Sequence, residues 1–216
     1  MNTRYDELIG GFSTLRHTLR RVLILALLTT VWDAAAQKVA LKHNLAYDAL
    51  LSPNLSLEVA LAPQWTLDTQ GGLNFFLYTK DATSPNYKTK KLSHWMVQPE
   101  VRYWTCEAFN GWFVGLHALG GQVNLGGLKI PFVMGDESNE MESHRYEGWY
   151  YGGGISAGYQ WILSDHFNAE ISIGAGYVRG ETDKYQCTSC GQKMGPATLN
   201  YVGPTKATLS IVYLLK

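Results

Sequence analysis

Four carboxylates and two cations sit at alternating positions of separate apolar stretches: Lys42, Glu58, Asp68, Glu100, Arg102 and Glu170. Glu100 and Arg102 stand two residues apart in HWMVQPEVRYW, residues 94 to 104. Carboxylates held side by side can divide general acid and general base roles. The same residues can instead neutralise one another and hold a structure shut, and the elements that carry them decide between these readings. A second candidate is the adjacent pair Ser143 and His144, amid Asp136, Glu137, Glu140 and Glu142, because an activated serine needs a histidine and a carboxylate. Adjacency in sequence alone does not make such a dyad. The third is CTSC, whose Cys187 and Cys190 suit a local disulfide in an oxidising compartment. Zinc would require two further ligands, for which His94 and His144 are available on neighbouring loops.

The elements that position these residues show period-two alternation from residue 38 onward. It recurs over 39–48, 54–61, 65–78, 94–104, 112–125, 147–161, 167–177 and 205–215. In the seventh segment Phe167, Ala169, Ile171, Ile173, Ala175 and Tyr177 oppose Asn168, Glu170, Ser172, Gly174 and Gly176. Most segments reach the roughly 9–11 residues that a tilted strand needs to cross a bilayer. Aromatic residues gather at the segment ends. Trp65, Tyr103, Trp104, Trp112, Tyr159, Trp161, Phe167 and Tyr213 lie at one level, and Tyr47, Phe75, Tyr78, Trp95, Trp149 and Tyr177 at the other, the arrangement of two interfacial girdles. Connections separate by parity into a mostly long set (49–53, 79–93, 126–146, 178–204) and a short set (62–64, 105–111, 162–166), and short turns belong on the periplasmic side of an outer-membrane barrel.

The N-terminus has a different pattern. Arg16, His17, Arg20 and Arg21 precede the apolar run VLILALLTTVW and then Ala34, Ala35 and Ala36, the grammar of a signal peptide over 1–36 cleaved after Ala36. The run is short of the about 20 residues of a spanning helix. Cations and acids balance at 18 each in 216 residues, so no basic field calls for nucleic acid. The fold expected is all-β: an eight-stranded antiparallel up-and-down transmembrane barrel over 37–216, with its N-terminus periplasmic in the bacterial outer membrane.

Parity places Lys42, Asp48, Glu58, Asp68, Glu100, Arg102, Glu170 and Lys206 inside the barrel. Counting from the periplasmic end puts the first-named six, without Asp48 and Lys206, in one belt of two cations and four carboxylates. Such a belt plugs a lumen that eight strands make only wide enough for side chains. Pro99 lies inside the fourth strand. A closed barrel has no edge to hide its missing donor, so a bulge or an interrupted ladder is expected there.

The strings ALKHNLAYDALLSPNLSLEVAL, HWMVQPEVRYWTCEAFNGWFVGLHALGGQ, RYEGWYYGGGISAGYQWILS and YVGPTKATLSIVYLLK resemble an uncharacterised family of small bacterial outer-membrane barrels, a domain of unknown function often encoded near fimbria components. The resemblance runs from about residue 38 to 216. It implies the barrel fold, an envelope location and a loose link to fimbriae, and it brings no catalytic residue and no cofactor. The function expected is structural or interactive at the cell surface and not enzymatic. Expected partners are membrane lipid, lipopolysaccharide and fimbrial or other surface proteins met through the outer loops. The alternatives are a lipid-modifying enzyme and a narrow gated channel.

Overall fold

The computed structural model describes residues 38–49, 51–79, 89–127, 133–134, 140, 143–186 and 192–215. The expected signal peptide, and with it the domain boundary at residue 37, lies outside these residues, as do Cys187 and Cys190. The strands are β1 Val39–Asn44, β2 Asn54–Ala62, β3 Trp65–Thr79, β4 Thr89–Trp104, β5 Gly111–Gly126, β6 Val133–Met134, β7 His144–Ile162, β8 Phe167–Gln186 and β9 Lys193–Leu215. A single turn of helix, α1 (Leu45–Asp48), follows β1. Eight of the strands pair in the order β1-β2-β3-β4-β5-β7-β8-β9, and β9 returns to β1 from Leu215↔Val39 to Ser210↔Asn44, so the antiparallel sheet closes on itself. The two-residue β6 adds to β9 at Asn200 and Tyr201. Closure leaves every strand two neighbours over its lower part, which is how a sheet dispenses with edges.

Side chains alternate as the pattern predicts. Outward, Leu116, Ile155 and Ile173 are 68%, 69% and 68% exposed, while the next residues along, such as His117 and Ser156, are buried. Between these two faces, the one with large apolar groups faces out, the inverse of a half-buried soluble sheet.

Two boundaries differ from the sequence reading. The first strand stops at Asn44 instead of running to residue 48, because Asn44 caps α1: its side-chain oxygen accepts from the Ala46 N–H at 3.1 Å. That oxygen also accepts from the Leu209 N–H, and the Asn44 amide donates to the Ala207 carbonyl at 3.1 Å, satisfying β9 where β1 no longer covers it. At the opposite extreme, β7, β8 and β9 run 19, 20 and 23 residues, so most of the loop expected over 178–204 is extended hairpin. The reason is a change in what faces outward. Above Tyr177 the outer positions are Arg179, Glu181 and Asp183 in place of aliphatic residues, with Arg179 3.4 Å from Glu181 and Lys193 2.6 Å from Asp183. Charge replaces oil while the pairing continues.

Pro99 behaves as a missing donor should. On the β3 side the register runs through Thr69↔Pro99. On the β5 side it passes from Val97↔Gly120 to Glu100↔His117 without a shift, leaving Gln98 and Pro99 unpaired. The ladder is interrupted and no residue bulges. The bulge lies across the lumen in β9, where Lys206 and Pro204 both pair in sequence with Gly174 and Ala175 and Thr205 is left over. The Gln98 amide donates to the Thr205 carbonyl at 3.2 Å, and His117 Nε2 lies 2.8 Å from the Thr205 hydroxyl. The irregular points on opposite walls are thus bonded together.

Candidate functional site

The lumen has three layers. At the short-turn end an apolar floor is made by Ala40, Trp104, Phe113 and Val212 of the strands, with Ala108 and Phe109 folded in from the turn after β4. Phe109 takes φ +69°, a left-handed conformation unusual for a bulky residue. Its ring is buried against Trp104 at 6.1 Å between centroids, and its carbonyl accepts from Asn168 at 3.1 Å. Trp104 was expected in the outer girdle. It follows Tyr103, which faces out, so strand parity turns it inward, where its indole N–H donates to Thr66 at 2.9 Å.

Above the floor lies the charged layer, and it contains all six of Lys42, Glu58, Asp68, Glu100, Arg102 and Glu170, each at most 4% exposed. Glu58, Asp68 and Glu100 face one another directly across β2, β3 and β4. Three carboxylates in one cross-strand row repel, and the cations answer that repulsion. The Arg102 guanidinium spans the row. Its Nε is 2.8 Å from Glu100, one terminal nitrogen is 3.0 Å from Glu58 and 2.9 Å from Glu170, and the other is 2.7 Å from Asp68. Lys42 Nζ donates to Glu170 at 2.7 Å, to Glu58 at 2.9 Å and to Asp68 at 3.3 Å. The hydroxyls of Ser56, Thr66 and Ser156 donate to Asp68, Glu58 and Glu100.

Lys206 was expected above this belt. It belongs to it, donating to Glu100 and standing 3.6 Å from Asp68. Counting residues from the strand ends ignores the stagger that a closed barrel imposes on its tilted strands. Along the hydrogen-bonded row Lys206 pairs with Gly174, Gly174 with Ser156, Ser156 with Gly115, and Gly115 with Arg102, so only small side chains stand on the wall between the two cations. The belt therefore holds three cations against four carboxylates, so the surplus is one negative charge. Asp48, by contrast, does not enter the lumen: it sits on α1 with its carboxylate 2.6 Å from His43 Nε2.

Space for these long side chains comes from the opposite wall, where the row Gly115, Ser156, Gly174 carries almost nothing. A Cβ on Gly115 would overlap both the Glu100 carboxylate and the Ser156 hydroxyl. The void remaining among the belt side chains is about 10 Å³, at most the room of a single water molecule. A substrate has no room among these carboxylates, so geometry favours mutual neutralisation over acid and base work.

The other candidate fares no better as chemistry. Ser143 Oγ lies 3.0 Å from His144 Nδ1, but it also donates to the Glu140 carbonyl at 3.0 Å, and the same Nδ1 lies 3.1 Å from that carbonyl. A nucleophile relay needs the serine on one ring nitrogen and an orienting acceptor on the other. Here one nitrogen serves both contacts, as in a local turn. Among the described residues no cluster of His, Cys, Asp and Glu is arranged to hold a metal ion.

Above the belt the wall of β4, β5, β7, β8 and β9 turns apolar again, with Leu125, Tyr146, Ala197 and Leu199 buried against Leu92 and Val123. The expectation of a charged belt leaves this layer out, although Met96, Leu119, Val123 and Leu125 stand at its inward positions.

The NMR solution structure of the E. coli outer membrane protein W is similar at 10% identity and a TM-score of 0.35, over 76% of this chain and 80% of that one. No curated protein matches the sequence. A family sequence pattern matches residues 22–215, a span that contains every described residue, and the protein belongs to that family, Protein of unknown function (DUF3575).

Proposed function

We propose that this protein is an outer-membrane barrel with a sealed lumen, acting at the bacterial cell surface as a structural or interaction protein. The outward face carries the proposal. At the short-turn end a ring of aromatic contacts runs from Trp65–Tyr103 (5.1 Å) through Trp112–Tyr159 (5.1 Å) and Tyr159–Trp161 (4.8 Å) to Phe167–Tyr213 (5.1 Å). A second level is marked by Phe75, Tyr151, Tyr177 and the Trp95–Trp149 pair at 5.7 Å. Along β7 the ten steps from Tyr159 to Trp149 cover about 33 Å of strand, or about 25 Å along the barrel axis at a tilt of ~40°, the height of an outer-membrane apolar band. The charged outer positions of β8 begin just above it. The expected result is heat-modifiable electrophoretic mobility in outer-membrane fractions; recovery as a soluble periplasmic protein would overturn the reading.

In this reading the short turns and the N-terminus of the barrel are periplasmic, and the long-loop end faces outward toward lipopolysaccharide and surface proteins. Assembly or anchoring of fimbriae, a link that rests on the family resemblance alone, is the partner process to test, by crosslinking through the outward hairpins. Cys106 is exposed in the turn after β4 and reports the orientation. In a chain carrying Cys187→Ser and Cys190→Ser, a membrane-impermeant maleimide should leave Cys106 unlabelled on intact cells and label it once the outer membrane is permeabilised. Labelling of intact cells would invert the topology.

The belt argues against a channel. Purified protein in planar bilayers is expected to give no conductance steps, and steady single-channel currents would show that the charged layer opens. No catalytic role is proposed, since the Ser143 and His144 contacts are those of a turn and the buried carboxylates lack room for substrate.

A further inference from the structure

We propose that the lumen above the charge belt is a binding site for a neutral apolar molecule of about ten carbons with one terminal hydroxyl. A cavity of about 260 Å³ lies there, lined by inward residues that include Met96, Leu119, Leu125, Val178 and Leu199. Apolar walls inside a membrane-type barrel are the inverse of the usual polar interior. The layer beneath is filled by the ion pairs of Arg102, Lys42 and Lys206, so the space is blind at that end and serves to hold a molecule instead of passing one. An apolar cavity of ~150 Å³ takes benzene, which scales to about ten non-hydrogen atoms for this volume.

The polar atoms nearby define the head group. Around the wall the hydroxyls are engaged: Tyr150 donates to the Trp95 carbonyl at 3.3 Å, Tyr201 to the Pro204 carbonyl at 2.8 Å, and Thr182 to the Ala197 carbonyl at 3.1 Å. Thr205 lines the cavity and is held by Gln98 and His117, which lie one step below Met96 and Leu119 on the same strand faces. Gln98 Oε1 and His117 Nδ1 are buried, and neither makes a hydrogen bond. Since the Gln98 amide nitrogen already donates to Thr205, the free Gln98 oxygen can only accept. A buried acceptor without a donor is costly, and a ligand hydroxyl that pushes past Thr205 at the cavity floor to Gln98, which lies behind the lining, would remove that cost. An anionic head would instead meet a belt that already carries one surplus carboxylate. The inference requires the barrel interior alone and stands apart from the surface role.

The test uses the full chain in lipid nanodiscs, with methyl-labelled methionine and 1-decanol as the probe. The Met96 ε-methyl should shift saturably, while Met134 and Met194, both exposed, follow only the linear drift of decanol entering lipid. Leu119→Trp, which fills the cavity, should abolish the saturable shift; Leu199→Phe serves the same purpose should Leu119→Trp lose its heat-modifiable mobility. Gln98→Leu should weaken binding about tenfold, the loss of one hydrogen bond left unmade. A linear Met96 response, or a saturable one that survives in a folded cavity-filled variant, overturns the site. Unchanged affinity in Gln98→Leu overturns the hydroxyl assignment.

Discussion

Arg102→Ala is expected to cost about 3–5 kcal/mol of unfolding free energy, read as the urea midpoint in lipid vesicles, because it strips a fully buried charge network of its central cation. Arg102 contacts four carboxylates and also lies 4.3 Å from the centroid of the Phe113 ring, so it joins the belt to the floor. Its removal leaves Lys42 and Lys206 against Glu58, Asp68, Glu100 and Glu170, raising the carboxylate surplus from one to two. Arg102→Lys should lose less, but not little, since one ammonium cannot present the guanidinium fork to carboxylates on three sides. Glu170→Gln added to Arg102→Ala should restore part of the stability, as it lowers the surplus again. A native midpoint in Arg102→Ala would show that the belt does not bolt the barrel.

How much of this could be read from the chain depends on which geometric quantity each feature needs. Parity needs only the two-residue period of a strand, so the inward set from Lys42 to Lys206, apart from Asp48 beyond the end of its strand, and the outward aliphatic face are legible in the sequence. Height needs the stagger between strands, which no single segment contains; counting from the strand ends therefore sets Lys206 above a belt in which its ammonium meets Glu100 and Asp68. Strand ends need more than hydropathy. The hairpin of β8 and β9 continues past the point where Arg179 and Glu181 replace aliphatic residues, so a search for apolar alternation stops early. At Asn44 the reverse occurs: LAYD keeps enough apolar character to suggest strand, but a capping side chain starts a turn of helix. Trp104 is the instructive error, because its residue type pointed to a girdle while its parity pointed to the lumen. Position along a closed sheet outweighs side-chain preference.

That tryptophan carries the second large effect. Trp104→Ala is expected to destabilise the barrel by about 3–5 kcal/mol, the range for emptying a buried aromatic site. Two terms add. Trp104 is fully buried and packs on Phe113 at 4.8 Å and Phe109 at 6.1 Å, so its removal leaves the turn residue Phe109, held at positive φ, without its main support. Its indole N–H also bonds the Thr66 hydroxyl, which in turn donates to Glu58, so the floor steadies a hydrogen bond to the belt. Trp104→Phe should recover most of the packing and still lack that bond, falling about 1–2 kcal/mol short of the native protein. Measured in one series with Arg102→Ala, the double variant separates the layers. If floor and belt act as one unit through Thr66 and Phe113, the two losses will sum to more than the double variant shows. Additive losses would mean that the barrel is closed twice, by two independent plugs.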